Sequence, residues 1–197
     1  RGGCLITQGP PKFEVNREET YRRLLHFSVR QIISQEDPFG THLSVKAGAR
    51  MASDLSKHLG IEILSHEQVI KPELLNEWRR INNDTYNYLK HAERDPHRSL
   101  PVFDLPLLNR LQTLLNAVNF KSLFGKQTAH INLYTAYFSA TEPDAQKFIN
   151  FPEEFWLGLK LFPDMKSRES WKTVFLDIPE VQSEYLKDTD DTLFSQQ

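Results

Sequence analysis

The sequence predicts an all-α fold, a single-domain helical bundle of about six helices. Apolar residues recur at the three- and four-residue spacing of a helix face, most clearly from Tyr21 to Ile33. Residues that begin and end helices bound the periodic segments, as Asn16 does before the first and Gly60 does after the second. The alternation of apolar and polar residues that marks a strand never persists. Helices are therefore the regular structure that we expect.

Each helix has its own start and stop signals. The turn Asp37-Pro38-Phe39-Gly40 is short, so the first two helices should be antiparallel neighbours. Pro72 suits the first position of the third helix, and Asp104 suits the cap of the fourth. Residues 61–70 fit a short helix or a loop, with a capping-box pattern from Ser65 to Gln68. The predicted helices are 16–33, 41–60, 72–93, 104–124, 129–140 and two short segments divided by Pro152.

The helices define one domain with two irregular ends. We expect an irregular arm at residues 1–15, the bundle domain at 16–180 and a polar tail at 181–197, with helices one to four as the core. Residues 171–178 fit one docked strand or turn, and the tail should be frayed and acidic from Asp188 onward. A chain of 197 residues can bury roughly 70% of its unfolded surface, which is enough for a core without disulfides.

Composition excludes several classes of protein. The net charge of −2 argues against a surface that binds nucleic acid everywhere, although a local basic patch remains compatible with it. Cys4 is the single cysteine, so there is no intramolecular disulfide and no thiolate zinc site, and a reducing cytoplasmic setting fits best. No apolar run approaches the ~20 residues that span a bilayer, and the start of the chain lacks the apolar core of a signal peptide.

Polar residues concentrate at the end of the third predicted helix. Asp84, Asn87 and His91 are spaced to share one stripe of that helix, beside its apolar face. Pro96 stops the helix, so His91 lies in the last turn, where the negative end of the helix dipole favours imidazolium. A histidine with a raised pKa suits a general acid or an anion binder at neutral pH.

These residues predict a site for an anionic ligand or RNA. Asn87 and His91 would be the catalytic residues of the site, and Lys90, Arg94 and Asp95 would bind the ligand. His42 lies at the start of the second helix, and an antiparallel third helix would bring its end close to that start, so we include His42 as well. The structural alternative is that Asn87 and His91 only hydrogen-bond and neutralise the helix dipole.

Other chemistries have weaker support in the sequence. The candidate metal donors lack the spacing of a known motif, so we expect no metal and no cofactor. The chain has no Gly-x-Ser-x-Gly nucleophile motif and no phosphate-binding Gly-x-x-x-x-Gly-Lys loop. An aromatic stripe near the C-terminus favours a core position, and it would be a dimer or partner surface if exposed. The donors are His42, His91, Glu93, Asp95 and His97, and the stripe is Phe148, Phe151, Phe155 and Trp156.

Two segments carry resemblances to known families. Residues 37–43 and 87–96 together resemble an uncharacterised bacterial family, over roughly residues 20–100. The second segment is also similar to the Arg-Asn-x-x-x-His signature of HEPN domains, with Asn87 and His91 at the Asn and His positions and Tyr86 at the Arg position. The resemblance implies a metal-independent ribonuclease site that is completed in a homodimer, with His91 as general acid or base.

Three functions stay open at this point. The first is an HEPN-like domain that binds an anionic ligand or RNA without cleaving it, because Tyr86 supplies no cation. The second is a metal-independent endoribonuclease, and the third is a non-enzymatic interaction protein.

Overall fold

The computed structural model describes residues 15–91, 97, 99, 100, 105–151, 155, 156 and 167–189. The predicted all-α class is confirmed over those residues, which form no sheet. Residues 143–147 add a 3₁₀ helix, and Ile70 and Ile149 form one isolated bridge. The eight α-helices of the described residues are α1 (Arg17–Ile33), α2 (Pro38–Leu59), α3 (His66–Val69), α4 (Pro72–Lys90), α5 (Leu105–Phe124), α6 (Ala129–Thr141), α7 (Arg168–Asp177) and α8 (Pro179–Thr189).

Most of the predicted helix boundaries are confirmed, and one is wrong. Asn16 caps α1, because its side-chain oxygen accepts the N–H of Glu19 at 2.8 Å. Gly60 ends α2 with a φ of 66°, a conformation that glycine adopts without strain. The start of α2 differs from the prediction. The Asp37 carboxylate accepts the N–H groups of Phe39 and Gly40, so Asp37 is a helix cap and residues 38–40 are already helical.

Helix α5 is the centre of the fold. It packs against α1 and α2 along its length, and against α6 at its other side. Leu111 and Leu114 on α5 are fully buried, as are Tyr21 on α1 and Tyr134 on α6. The prediction that helices one to four form the core is wrong for the third, because α4 packs against α2 and α3 and buries only a few of its side chains. Helix α6 takes the place in the core that we had predicted for α4.

Four buried amide side chains run along α5, and we call them the amide row: Asn109, Gln112, Asn116 and Asn119. Asn109 donates to the carbonyl of Pro38 at 2.8 Å, and Asn116 donates to the carbonyl of Val45 at 2.9 Å. Asn119 exchanges hydrogen bonds with both backbone groups of Leu64. The amide row therefore fixes α2 and the segment before α3 on the central helix, since every one of these bonds is buried or partly buried.

The C-terminal part of the described chain is helical, which corrects the sequence interpretation. The predicted strand or turn at 171–178 is α7, whose start is capped by Ser167. Trp171 and Phe175, one helical turn apart, are buried against the core. The predicted polar tail began at residue 181, but residues 179–189 form α8, and Val181 is buried. Residues 190–197 of the tail, and residues 1–14 of the predicted arm, lie outside the described part of the chain.

The aromatic stripe belongs to the core, as its spacing predicted. The rings of Phe138 on α6, Phe155 and Trp156 contact one another, and Phe148 and Phe151 are partly buried beside them. The alternative of an exposed aromatic surface is not supported at these five positions. Among the described helices, none is long and apolar enough to cross a bilayer.

Candidate functional site

The last turn of α4 presents the predicted site residues to solvent. Asn87 and Lys90 are exposed and His91 is partly exposed. His91 ends the helix, and its backbone N–H donates to the carbonyl of Asn87 at 3.0 Å. Arg94 and Asp95, which we also predicted to line the site, lie outside the described residues.

His42 does not belong to this site, so that part of the prediction is wrong. Its side chain is 1% exposed. Nδ1 lies 2.8 Å from Oδ1 of Asn109, and Nε2 lies 3.3 Å from the carbonyl oxygen of Asn82. Asn82 precedes His91 by nine residues, or about 13 Å of helix at ~1.5 Å per residue. The reason is the early start of α2, which places His42 one turn into the helix, on the face toward α5.

Two lysines converge on the ring of Tyr86 instead. The Lys46 ammonium of α2 lies 5.7 Å from the ring centroid, and the Lys90 ammonium lies 5.6 Å from it. Both distances fall within the range of a cation–π contact. Burial lowers the pKa of Lys46, because a partly desolvated ammonium favours its neutral form. Two lysine side chains from different helices therefore lie beside the ring of Tyr86.

The neighbouring arginines form ion pairs with carboxylates, whereas Lys46 and Lys90 form none with the described residues. Arg50 pairs with Asp54 at 3.0 Å, Arg79 pairs with Glu67, and Arg80 pairs with Glu77 at 2.7 Å. Lys46 and Lys90 have no carboxylate within ion-pair distance among the described residues. Lys46 and Lys90 lie on different helices, so sequence spacing does not show that their ammonium groups meet at one ring.

A second polar group lies at the opposite side of the core, where α1, α6 and α8 meet. We call it the histidine–carboxylate cluster: His26, His130, Glu184 and Asp188. The two imidazole rings stack with centroids 4.2 Å apart and planes 13° apart, and both side chains are fully buried. Nδ1 of His26 lies 2.9 Å from Oδ2 of Asp188, and Nδ1 of His130 lies 2.7 Å from Oε2 of Glu184. Each buried histidine is therefore oriented by its own carboxylate.

Arginines and backbone groups hold the two carboxylates in place. Asp188 also pairs with Arg22 at 2.8 Å and with Arg30 at 3.0 Å. Burial acts to raise its pKa, but the hydrogen bond and charge of His26, together with the two guanidinium groups, outweigh burial and lower the pKa to about 2.

Glu184 stabilises the start of α6. Its carboxylate accepts the backbone N–H groups of Ala129 and His130 at 2.8 and 3.1 Å. Burial again acts to raise the pKa, and the hydrogen bonds from the His130 ring and from these two N–H groups lower it to about 2. Both carboxylates are therefore ionised at neutral pH.

The cluster borders a groove of about 550 Å³. Its wall includes His130 and Phe175, and its rim carries the exposed side chains of Leu176 and Tyr185. Lys172 lines the same groove and forms no ion pair with another described residue. The volume is within the usual range for sites of small molecules.

Sequence reasoning missed the histidine–carboxylate cluster. His26 lies on the apolar face of α1, and Glu184 and Asp188 are one turn apart on α8, but these are weak local signals. The partners His26 and Asp188 are 162 residues apart, a pairing that no short-range pattern contains. The sequence predicts a polar tail where the structure has α8, so the two carboxylates on α8 were not among the predicted site residues.

The comparisons with known proteins add no relative: the chain matches no protein family, no curated protein sequence and no solved structure. Fold and side-chain geometry therefore have to support the functional conclusion.

Proposed function

We propose that the chain is an anion-binding helical protein with its site at the end of α4, formed by Lys46, Tyr86, Asn87, Lys90 and His91. One observation carries the proposal: the ammonium groups of Lys46 and Lys90 both contact the ring of Tyr86, and neither has a carboxylate partner among the described residues. A phosphate group, free or in RNA, is the ligand that we expect.

The electrostatics favour a bound anion. Two positive groups beside one ring repel each other, and burial further disfavours the charged form of Lys46. An anion bound next to both ammonium groups reduces their repulsion. It also raises the pKa of Lys46 back toward its ordinary value. Both effects stabilise the bound anion. The C-terminal end of α4 carries the negative end of the helix dipole, which helps to hold the cations there before a ligand arrives.

The exposed residues of the same turn suit a phosphate-bearing chain. Asn87 offers an amide donor, and His91 offers a partly exposed imidazole ring. The ring of Tyr86 is partly exposed and is a surface on which an unpaired base can stack. RNA can therefore make three kinds of contact with these residues: its phosphates with the lysines, a hydrogen bond with Asn87, and a base stacked on Tyr86.

Binding measurements on lysine variants test the proposal. We expect phosphate and a short single-stranded RNA to shift the imidazole resonance of His91 in NMR spectra. Lys46→Met and Lys90→Met should each weaken the affinity about tenfold, the effect of one charged hydrogen bond of ~1.5 kcal/mol. Lys57→Met is the matched control, since Lys57 is an exposed lysine further along α2.

Two results would contradict the proposal. One is a double variant, Lys46→Met with Lys90→Met, that binds phosphate and RNA as well as the wild type. The other is a wild-type chain that binds neither ligand at low ionic strength, where electrostatic binding is strongest.

Metal-independent cleavage of RNA is the second candidate, and the accessibility of Asn87 and His91 on one helix turn favours it. In this reaction His91 would act as general acid or base, and Lys46 and Lys90 would stabilise the phosphate in place of the missing arginine. Incubation of total RNA in EDTA should then give cleavage by the wild type and none by His91→Ala. Binding without cleavage would leave the first proposal and remove this one.

A further inference from the structure

We propose that His26, His130 and Glu184 form a binding site for one divalent transition-metal ion of the Zn²⁺ type, and that Asp188 positions His26 for it. This site is separate from the proposed anion site at the end of α4, so either can fail without the other.

The donor atoms are close enough to share one ion. One nitrogen from each histidine and one oxygen of Glu184 all lie within 4.8 Å of one another. Nε2 of His26 is 3.9 Å from Oε2 of Glu184, and Nδ1 of His130 is 2.7 Å from the same oxygen. Ligands ~2.0–2.1 Å from a tetrahedral Zn²⁺ stand roughly 3.3 Å apart, and these two distances lie on either side of that value. The two rings are stacked with planes 13° apart, so one ring would also have to rotate before both nitrogen lone pairs point at the same ion.

Asp188 sets His26 in the form that binds metals. An ionised carboxylate only accepts hydrogen bonds, so Nδ1 of His26 carries the proton, and Nε2 keeps its lone pair. That lone pair accepts a hydrogen bond from the Thr128 hydroxyl at 2.8 Å, which the ion would replace, and Nε2 lies 3.9 Å from Oε2 of Glu184. A carboxylate on the distal nitrogen of a liganding histidine is the usual support of a zinc site, where it fixes the ring and raises its basicity.

His130 and Glu184 would exchange their hydrogen bond for the metal. Glu184 is ionised and only accepts hydrogen bonds, so Nδ1 of His130 donates to its Oε2 at 2.7 Å. An ion bound at this place would take over both atoms, and the single ring proton of His130 would move from Nδ1 to Nε2, so the ring stays neutral. Glu184 stays anchored meanwhile, because the N–H groups of Ala129 and His130 continue to donate to its carboxylate.

The groove and the free side of the His130 ring both allow an ion to enter. His130 lines the groove, which gives an ion and its water a path to the cluster. Nε2 of His130 is buried and has no hydrogen-bond partner among the described residues. No hydrogen bond at Nε2 therefore has to break when the ring proton moves there and Nδ1 binds the ion.

The donor set selects the kind of ion. Two imidazole nitrogens and one carboxylate oxygen suit Zn²⁺, Co²⁺ or Ni²⁺ and not the all-oxygen preference of Mg²⁺ or Ca²⁺. Three protein ligands leave a fourth position for water, the pattern of an ion that can act on a small molecule.

Titration with Zn²⁺ and Co²⁺ tests the site. We expect the full chain, freed of metal by dialysis against a chelator, to bind one ion per molecule, measured by isothermal titration calorimetry. Bound Co²⁺ should give the intense visible absorption of a tetrahedral complex, and Zn²⁺ should abolish it.

Variants assign the ion to these residues. Glu184→Gln and His130→Asn should each weaken binding by more than a hundredfold, and Asp188→Asn by about ten- to a hundredfold, the usual effect of losing an outer partner. His66→Gln is the matched control, because His66 is a partly buried histidine held by an amide. Circular dichroism of each metal-free variant shows whether it is folded.

Either of two outcomes overturns the proposal. A wild-type chain that binds neither Zn²⁺ nor Co²⁺ at neutral pH has no such site. Binding that is unchanged in folded Asp188→Asn and Glu184→Gln, or that is lost equally in His66→Gln, places the ion elsewhere.

Discussion

Two pairs of histidines, three of them buried and His66 partly buried, differ in what holds them. His42 and His66 are held by the amide row: Nδ1 of His42 lies 2.8 Å from Asn109, and Nε2 of His66 lies 2.6 Å from Gln112. His26 and His130 are held by the carboxylates of Asp188 and Glu184 at 2.9 and 2.7 Å. All four pairings are short, but only the second pair has negative partners.

The difference shows that the partner of a buried histidine decides its chemistry. An amide oxygen is neutral, so it fixes one tautomer and gives little stabilisation to an added proton or metal ion. A carboxylate stabilises a positive charge at the imidazole, whether a proton or a metal ion. The amide row is therefore a structural device, and the histidine–carboxylate cluster is the place in the core where chemistry is expected.

Removal of Asp188 should give the largest loss of stability. Asp188→Ala leaves Arg22, Arg30 and His26 without their shared partner, and its side chain is 2% exposed. We expect a loss of about 3 kcal/mol in the free energy of unfolding, measured in urea. Asp54→Ala is the control, because the pair of Asp54 with Arg50 is exposed and should contribute less than ~1 kcal/mol. Equal losses in the two variants would mean that the cluster is not held together by charge.

A methyl group at Gly48 should disturb the amide row. The Cβ of Gly48→Ala would lie 2.9 Å from Nδ2 of Asn116, which donates to the carbonyl of Val45. We expect a loss of about 1–2 kcal/mol, although alanine is the better helix former by ~1 kcal/mol. Gly40→Ala in the same helix meets nothing closer than 3.9 Å and should be neutral or stabilising. Thermal unfolding of both variants compares them, and a stabilised Gly48→Ala would show that the row can shift freely.

The pH dependence of stability is expected to be a smaller effect than these two losses of unfolding free energy. It tests the histidines held by the amide row. Burial lowers the pKa of His42 and of His66 below the unfolded value of ~6.5, so the unfolded chain binds more protons there. Their contribution to stability is full above ~6.5 and is lost as the pH falls toward their folded pKa values.

Glutamine variants check this pH dependence. His42→Gln with His66→Gln should flatten the curve of unfolding free energy between pH 7 and 5, leaving the part that comes from His26, whose pKa burial also lowers. A slope that the double variant retains in full would refute the assignment.

Local sequence signals predicted the helices but not their contacts. The caps at Asn16 and Gly60 and the proline at the start of α4 act within one turn, and each is found as predicted. His42 was misplaced because the face of a residue depends on where its helix begins, and Asp37 begins α2 earlier than the apolar pattern suggests.

The sites depend on contacts between distant segments. Lys46 and Lys90 meet at Tyr86 only because α2 packs beside α4, and α7 and α8 are short helices with few apolar residues to reveal them. A helical period identifies a buried face, but it does not say which helix covers that face. Both proposed sites therefore needed the structure, whereas the exposed turn of Asn87 and His91 was visible in the sequence.

The most direct measurement is imidazole-nitrogen NMR of the wild-type chain during addition of Zn²⁺. If the carboxylate partners decide the chemistry, one equivalent of Zn²⁺ shifts the resonances of His26 and His130 and leaves those of His42 and His66 in place. Shifts in the amide-held pair, or no change at His26 and His130 while the protein stays folded, would contradict it.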